Sequence, residues 1–178
     1  MNTGLIHVYI GDGKGKTSAS LGLALRCYGA GMKVLVLQFL KTWDSGEVDA
    51  VKHINDENFK LLRFESEHDL VFDDATELDL QYLNKDIKKA YDFALQSVKS
   101  GEWDLVVLDE ILWAHYFEFI SEDALLELLK HKCHSTELVL TGRKAPDSVL
   151  GCADYITRMQ AMRHPYEKGI DARKGIEY

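Results

Sequence analysis

The run Gly11-Asp12-Gly13-Lys14-Gly15-Lys16-Thr17-Ser18 combines three glycines, two lysines and two hydroxyls within eight residues. Glycines let a backbone curl so that successive N–H groups point inward, and a helix starting at the end of the curl adds partial positive charge. That is the chemistry of a cradle for a multiply charged oxyanion. Lys16 is placed to reach phosphate oxygens, and the Thr17 hydroxyl to ligate Mg2+ or Mn2+. The whole run is therefore expected to hold a polyphosphate, most simply ATP. The general loop has glycine five residues before its Gly-Lys pair; here Ile10 stands there, and Gly11 lies four before. Taken alone, the run also reads as a glycine turn ahead of a helix start.

Three further apolar runs end in residues that could meet this cradle. Residues 33–40 carry Gln38 and lead into Lys41, residues 103–110 finish on Asp109-Glu110, and residues 137–142 lead into Arg143. A carboxylate after a buried strand suits loop-bound Mg2+, which needs hard oxygen ligands or acceptors for its waters. Either Asp109 or Glu110 could serve beside Thr17; the bland reading is a solvated acidic turn. Arg143 offers a planar fork for phosphate, and Lys14 is either a second cation on the phosphates or a solvated loop side chain. His131, Cys133 and His134 lack the spacing of a zinc site and fall where a leucine-rich helix ends, so they read as a polar helix terminus. Trp113, Tyr116, Phe117 and Phe119 read as core, although their place just past Glu110 keeps a flat-ligand role open.

Holding these residues together requires strands that end at one edge. Residues 5–10 form an apolar run ahead of the loop; Leu21, Ala24 and Leu25 then recur at helical spacing, and Gly29 and Gly31 stop that helix. Residues 33–40 read as a strand buried on both faces, residues 59–64 as a weaker strand, and residues 65–77 as acidic loop. Leu80, Leu83, Ile87, Tyr91, Ala94 and Val98 share one helical face, closed by Ser100-Gly101. Residues 103–110 are the next buried strand. Ser121 caps a helix with Glu122 and Asp123 in its first turn and Leu125, Leu126, Leu128 and Leu129 facing inward. Residues 137–142 form another strand, Pro146 opens a short helix, and residues 155–159 form the last strand. Such alternation specifies an α/β fold, a mostly parallel sheet flanked by helices, with right-handed crossovers and ligand at the carboxyl ends of the strands.

The chain has 178 residues, 46% hydrophobic, which suits a single domain over 1–178. Its 29 acidic against 21 basic residues give a net charge of -8, which argues against general binding to nucleic acid or an anionic membrane. Three scattered cysteines, Cys27, Cys133 and Cys152, suit a reducing compartment rather than a disulfide framework. No apolar run has membrane-spanning length and no signal-type start is visible, so a cytoplasmic, soluble protein is expected.

These features together resemble the P-loop type corrinoid adenosyltransferases. The resemblance is carried by Gly-Asp-Gly-Lys-Gly-Lys-Thr with its shortened spacing, Gln38-Phe39-Leu40-Lys41 with Trp43 and Gly46-Glu47, and Val106-Val107-Leu108-Asp109-Glu110. Thr141-Gly142-Arg143 and the run from Lys168 to Tyr178, with Gly169-Ile170, Ala172 and Gly175-Ile176-Glu177-Tyr178, complete it. It implies a RecA-like P-loop NTPase fold. It also implies that cob(I)alamin attacks the ribose 5′ carbon of ATP and expels triphosphate, with the γ-phosphate in the loop. Lys16, Glu110 and Arg143 are then the candidate catalytic residues. Lys14 joins Lys16, Thr17 and Arg143 on the leaving group; Gln38 and Lys41 line the nucleotide site; Asp109 or Glu110 serves the metal. A homodimer and a flavoprotein or flavodoxin reductant are likewise implied. Longer members carry an N-terminal extension before the first strand, where about four residues stand here. Better-known members also carry a Phe-x-Trp pair under the corrin; the matching stretch here, Glu65-Ser66-Glu67-His68-Asp69-Leu70-Val71-Phe72, lacks it and offers Phe72 or His68 instead.

Two other readings fit the loop. One is an ATPase or kinase in which Glu110 polarises water or a hydroxyl for attack on the γ-phosphate. The other is a nucleotide or corrinoid sensor without turnover.

Overall fold

A computed structural model describes residues 3–41, 45–64 and 76–178. Strands and helices alternate as β1 (Ile6–Ile10), α1 (Lys16–Gly29), β2 (Val34–Gln38), α2 (Gly46–Ile54), β3 (Phe59–Arg63), α3 (Glu77–Ser100), β4 (Leu105–Asp109), α4 (Ile111–Tyr116), α5 (Glu122–His131), β5 (Glu137–Thr141), α6 (Asp147–Gly151) and β6 (Tyr155–Arg158). A short 3-10 helix, Pro165–Lys168, follows. The strands form one sheet in the order β3-β2-β4-β5-β1-β6 with every neighbour parallel. This is a P-loop fold, in which β5 separates the loop-bearing β1 from β4. Parallel pairing needs long crossovers, which the helices supply, and it sends all six carboxyl ends to one edge.

Side chains alternate across each strand, so the sheet has two apolar faces and each needs a cover. On one face Leu35, Leu37, Val106, Leu108, Leu138 and Leu140 pack with Leu83, Ile87, Ala94 and Val98 of α3 and Leu125 and Leu128 of α5. On the other, Val34, Val36, Leu105, Val107 and Val139 pack with Ala24, and with the partly buried Leu21 and Leu23 of α1 and Val51 and Ile54 of α2. Double coverage explains why β2 and β4 are buried at every position. β6, at the edge, is exposed at every position. Among the described residues no helix is long and apolar enough to cross a membrane.

Local chemistry sets the ends of the elements. Thr76 and Asp79 form a reciprocal capping box at the start of α3, and Gly101 ends it in the left-handed region at φ 67°. The Ser121 hydroxyl accepts from the Ala124 N–H to open α5, which ends at His131, where the sequence places a polar terminus. Two helices go unanticipated. α2 is only nine residues long and contains no fully buried residue, although Val51 and Ile54 pack partly buried on the sheet. α4 hides inside the aromatic stretch: Ile111, Leu112 and Ala114 take the core, whereas Tyr116 and Phe117 are exposed and Trp113 and Phe119 partly buried. Leu80, expected on the apolar face of α3, is also exposed, and Leu126 of α5 is only partly buried. The expected acidic loop lies almost wholly outside the described residues.

Gly142 follows β5 where α4 passes close. A Cβ there would stand 2.5 Å from Leu112 Cβ and 2.9 Å from the Trp113 nitrogen, so only glycine lets the two segments touch. Gly142→Ala should destabilise the protein by about 1–3 kcal/mol in urea unfolding, because the added methyl overpacks a contact that includes backbone.

Candidate active site

The carboxyl edge of the sheet is organised around Asp109, the last residue of β4, which is fully buried. The Thr17 hydroxyl donates to its two oxygens at 2.9 and 3.1 Å. Thr141, from the end of β5, donates at 2.8 Å, and the Gln38 amide, from the end of β2, donates at 3.1 Å. Lys41 Nζ completes the set with an ion pair at 2.9 Å. The Thr141 hydroxyl also accepts the Glu110 N–H at 2.8 Å, which ties β5 to the turn after β4.

Gly11 to Gly15 sit where the sequence places them, between β1 and α1, and Lys16, Thr17 and Ser18 form the start of α1. Gly11 and Gly15 adopt φ values of 115° and 116°, and the α1 N-terminus has no side-chain cap and no acidic residue in its first turn. Its N–H groups and partial charge are thus open to an anion. A Cβ on Gly11 would fall 2.1 Å from the Met159 carbonyl oxygen, so the loop lies directly against the chain leaving β6. Lys16 Nζ donates to the carbonyls of Gly11 and Gly13 at 2.7 and 2.9 Å. Burial lowers its pKa, partly opposed by Glu110, while Arg143 lowers it further. The exposed Ser18 borders a cavity of about 460 Å3 with Thr17, Lys41 and Glu47. Asp12 Oδ1 accepts from the Ala161 N–H at 3.4 Å.

Glu110 behaves differently from its neighbour. It adopts a left-handed backbone at φ 63° as it turns the chain from β4 into α4, a conformation that costs a non-glycine residue about 1–2 kcal/mol. Among the described residues its carboxylate makes no hydrogen bond. Burial raises its pKa, Asp109 raises it further, and Lys16, Lys41 and Arg143 pull it back. Arg143 is exposed and stacks over Trp113, its guanidinium 4.7 Å from the ring centre; Trp113 in turn stacks on Tyr116 at 4.6 Å. The fold therefore brings together Thr17, Gln38, Lys41 and Asp109 by direct bonds, and sets Lys16, Glu110 and Arg143 within electrostatic reach of one another. Lys14 makes no direct bond to this group; it bonds instead to residues 176 and 177.

Sequence reasoning assigns no site role to Glu47 or Arg63. Glu47, in the first turn of α2, accepts from Gln38 at 3.1 Å and from Lys41 at 3.3 Å. Arg63 ends β3 in register with Gln38 and donates to its side-chain oxygen at 2.7 Å. The signal for Arg63 is its place at a strand end like the others; Glu47 lies in the first turn of a short helix and not at a strand end. Trp43, His68 and Phe72, named in the resemblance, lie outside the described residues.

The family model described as ATP:corrinoid adenosyltransferase BtuR/CobO/CobP matches residues 2–178. The chain belongs to this family. Corrinoid adenosyltransferases similar to it include those of Sinorhizobium sp, 32% identical over 98% of this chain and 80% of that one, and Pseudomonas aeruginosa, 32% identical over 98% and 84%. That of Escherichia coli K12 is 28% identical over 98% and 86%. Among solved structures, AMPPCP-bound DnaA from Aquifex aeolicus aligns over 97% of this chain and 48% of its own with a TM-score of 0.34 and 14% identity, too weak a likeness to bear on fold or function. As a corrinoid adenosyltransferase the chain is an enzyme of group transfer, and its P-loop suits a nucleotide co-substrate.

Glu47 yields a pH prediction. Burial pushes its carboxyl up, but Gln38, its own backbone N–H, Ser45 and Lys41 together hold it down at about 2 instead of the ordinary 4.5. A depressed carboxyl contributes stability above its unfolded pKa and loses it as pH falls through the folded one. Because water screens a partly exposed group, Glu47→Gln should lower stability at pH 7 in urea unfolding by no more than about 1–2 kcal/mol, with the gap closing between about pH 4.5 and pH 2.

Proposed function

We propose that the enzyme is an ATP:cob(I)alamin adenosyltransferase acting as one nucleotide-binding domain over 1–178. Reduced cobalt of the corrinoid substrate supplies an electron pair to the ribose 5′ carbon, a cobalt–carbon bond forms, and the carbon–oxygen bond to the phosphate breaks. The electron pair of that bond leaves with triphosphate. The observation that carries this reading is the family match over residues 2–178, which includes a phosphate loop opening an uncapped 14-residue helix.

The protein's part is to align two reactants and to stabilise charge growing on the leaving oxygen. In this reading the Gly11–Ser18 run (Gly11, Asp12, Gly13, Lys14, Gly15, Lys16, Thr17 and Ser18) holds the polyphosphate. Lys16 moves from the loop carbonyls to phosphate oxygens, and Arg143, placed over the Trp113 ring, takes charge from the other side. Gln38 and Lys41 border the nucleotide. Thr17 and Glu110 are hard oxygen donors that fit Mg2+ or Mn2+, and among the described residues the Glu110 carboxylate makes no hydrogen bond. Asp109 has its oxygens filled by protein donors and orients the Thr17 hydroxyl. The ion would neutralise phosphate charge when bound. A cytoplasmic homodimer served by a flavoprotein or flavodoxin reductant completes the proposal.

Anaerobic incubation with chemically reduced cobalamin, ATP and Mg2+ tests it. The cob(I)alamin spectrum should decay to a light-sensitive alkyl cobalt species with triphosphate as co-product, and Lys16→Ala should slow this at least about 100-fold. ADP as the product, with no alkyl cobalt formed, would instead support Glu110-assisted attack at the γ-phosphate. Nucleotide-dependent stabilisation without turnover would support a sensor.

A further inference from the structure

Residues 159–178 follow the last strand, and apolar periodicity gives them no role, yet they return to the phosphate loop. The Gly13 N–H donates to the Met159 carbonyl at 2.8 Å. Farther along, Lys14 Nζ donates to the Glu177 carboxylate at 2.8 Å and to the Ile176 carbonyl at 2.9 Å. Arg173 grips the same carboxylate: its backbone N–H and Nε donate to one oxygen at 2.9 and 3.1 Å, and its Nη2 donates to the other at 3.1 Å. Gly175, at φ 76°, turns the run, and its N–H donates to the Tyr178 carbonyl.

This clasp touches two cavities. Glu177 borders the 460 Å3 cavity that contains Thr17, Ser18, Lys41 and Glu47, and with Lys14 and Arg173 it also lines a second cavity of about 680 Å3, beside Arg163, Tyr166 and Ile170. Lys14 is 48% exposed, and an exposed lysine ammonium samples many rotamers unless something holds it. An ammonium has three donors; Glu177 and Ile176 take two. Among the described residues the third has no partner and is open to a bound anion.

Resting on the reading of Gly11–Ser18 (Gly11, Asp12, Gly13, Lys14, Gly15, Lys16, Thr17, Ser18) as the polyphosphate site, we propose that Glu177 and Arg173 are positioning residues that fix Lys14 over the loop for the triphosphate of ATP. Arg173 fixes Glu177, Glu177 fixes Lys14, and the preorganised ammonium meets the anion without first losing its freedom. The carboxylate acts through Lys14 and not by touching the ligand, whose charge it would repel.

That indirect route makes the proposal testable by a double-mutant cycle. Calorimetric titration with inorganic triphosphate and Mg2+ compares the parent with Lys14→Met, Glu177→Gln, Arg173→Met and the Lys14→Met/Glu177→Gln pair. Glu177→Gln and Arg173→Met should each weaken binding about three- to tenfold, and the pair should bind no more weakly than Lys14→Met alone. In turnover the same two single variants should raise KM for ATP and leave KM for the corrinoid unchanged. Arg173→Met serves if Glu177→Gln does not fold. Triphosphate binding as tight as the parent's or tighter in Glu177→Gln, or losses that multiply in the pair, would overturn the proposal. Failure of adenosyl transfer in the parent with an intact triphosphate cycle would count against the adenosyl-transfer reading and leave this inference standing.

Discussion

A carboxylate with no exposure to water is costly unless every lone pair is answered, and Asp109 shows how this fold answers it. Two hydroxyls, one amide and one ammonium converge on it from α1, β5, β2 and the turn beyond β2. Removing the carboxylate would leave Lys41 and three polar donors buried without their shared acceptor, a loss of the size seen when one partner of a buried pair is deleted, about 3–5 kcal/mol. Because each donor belongs to a different element, the same bonds that satisfy the charge also fix the phosphate loop against three strand ends. Stability and site geometry here rest on the same set of bonds.

The two adjacent acids divide the work by backbone conformation. Asp109 is the last residue of a regular strand, so its side chain is directed by the sheet into the network. Glu110 breaks from the strand in a left-handed conformation, and its carboxylate stays outside that network while still buried enough for its ionised form to be disfavoured. An Asp-Glu pair in a sequence gives no sign of which residue is saturated. The sheet register, with Gln38 opposite Asp109, decides it.

Much of this was legible in the residues. The continuous apolar runs of β2 and β4 announce strands covered on both faces, and Gly11 to Thr17 announces the loop, because both depend on local chemistry. The strand ends that bear Gln38, Asp109 and Thr141 follow from the α/β alternation. What stayed hidden depends on contacts distant in sequence. Glu47 sits on a helix with no buried residue, and Arg63 gains its place only by pairing with Gln38. The bonds from Lys14 to residues 176 and 177 cross more than 160 positions, and no periodicity reports such a bond. The aromatic stretch after Glu110 misled because its core residues, Ile111, Leu112 and Ala114, are interleaved with the larger rings that draw the eye.

The position of β1 in the sheet order carries a consequence for how the molecule is made. The strand that bears the phosphate loop is the first in the chain, yet its two hydrogen-bonded neighbours are β5 and β6, the last two. During synthesis β2, β3 and β4 can pair with one another as they emerge, whereas β1 must wait for residues 137–158 before it has any partner in the sheet. Its loop-closure entropy is among the largest in the fold, and contacts of such separation form late and slowly. The nucleotide cradle is thus synthesised well before the strands that flank it and is among the last structures assembled.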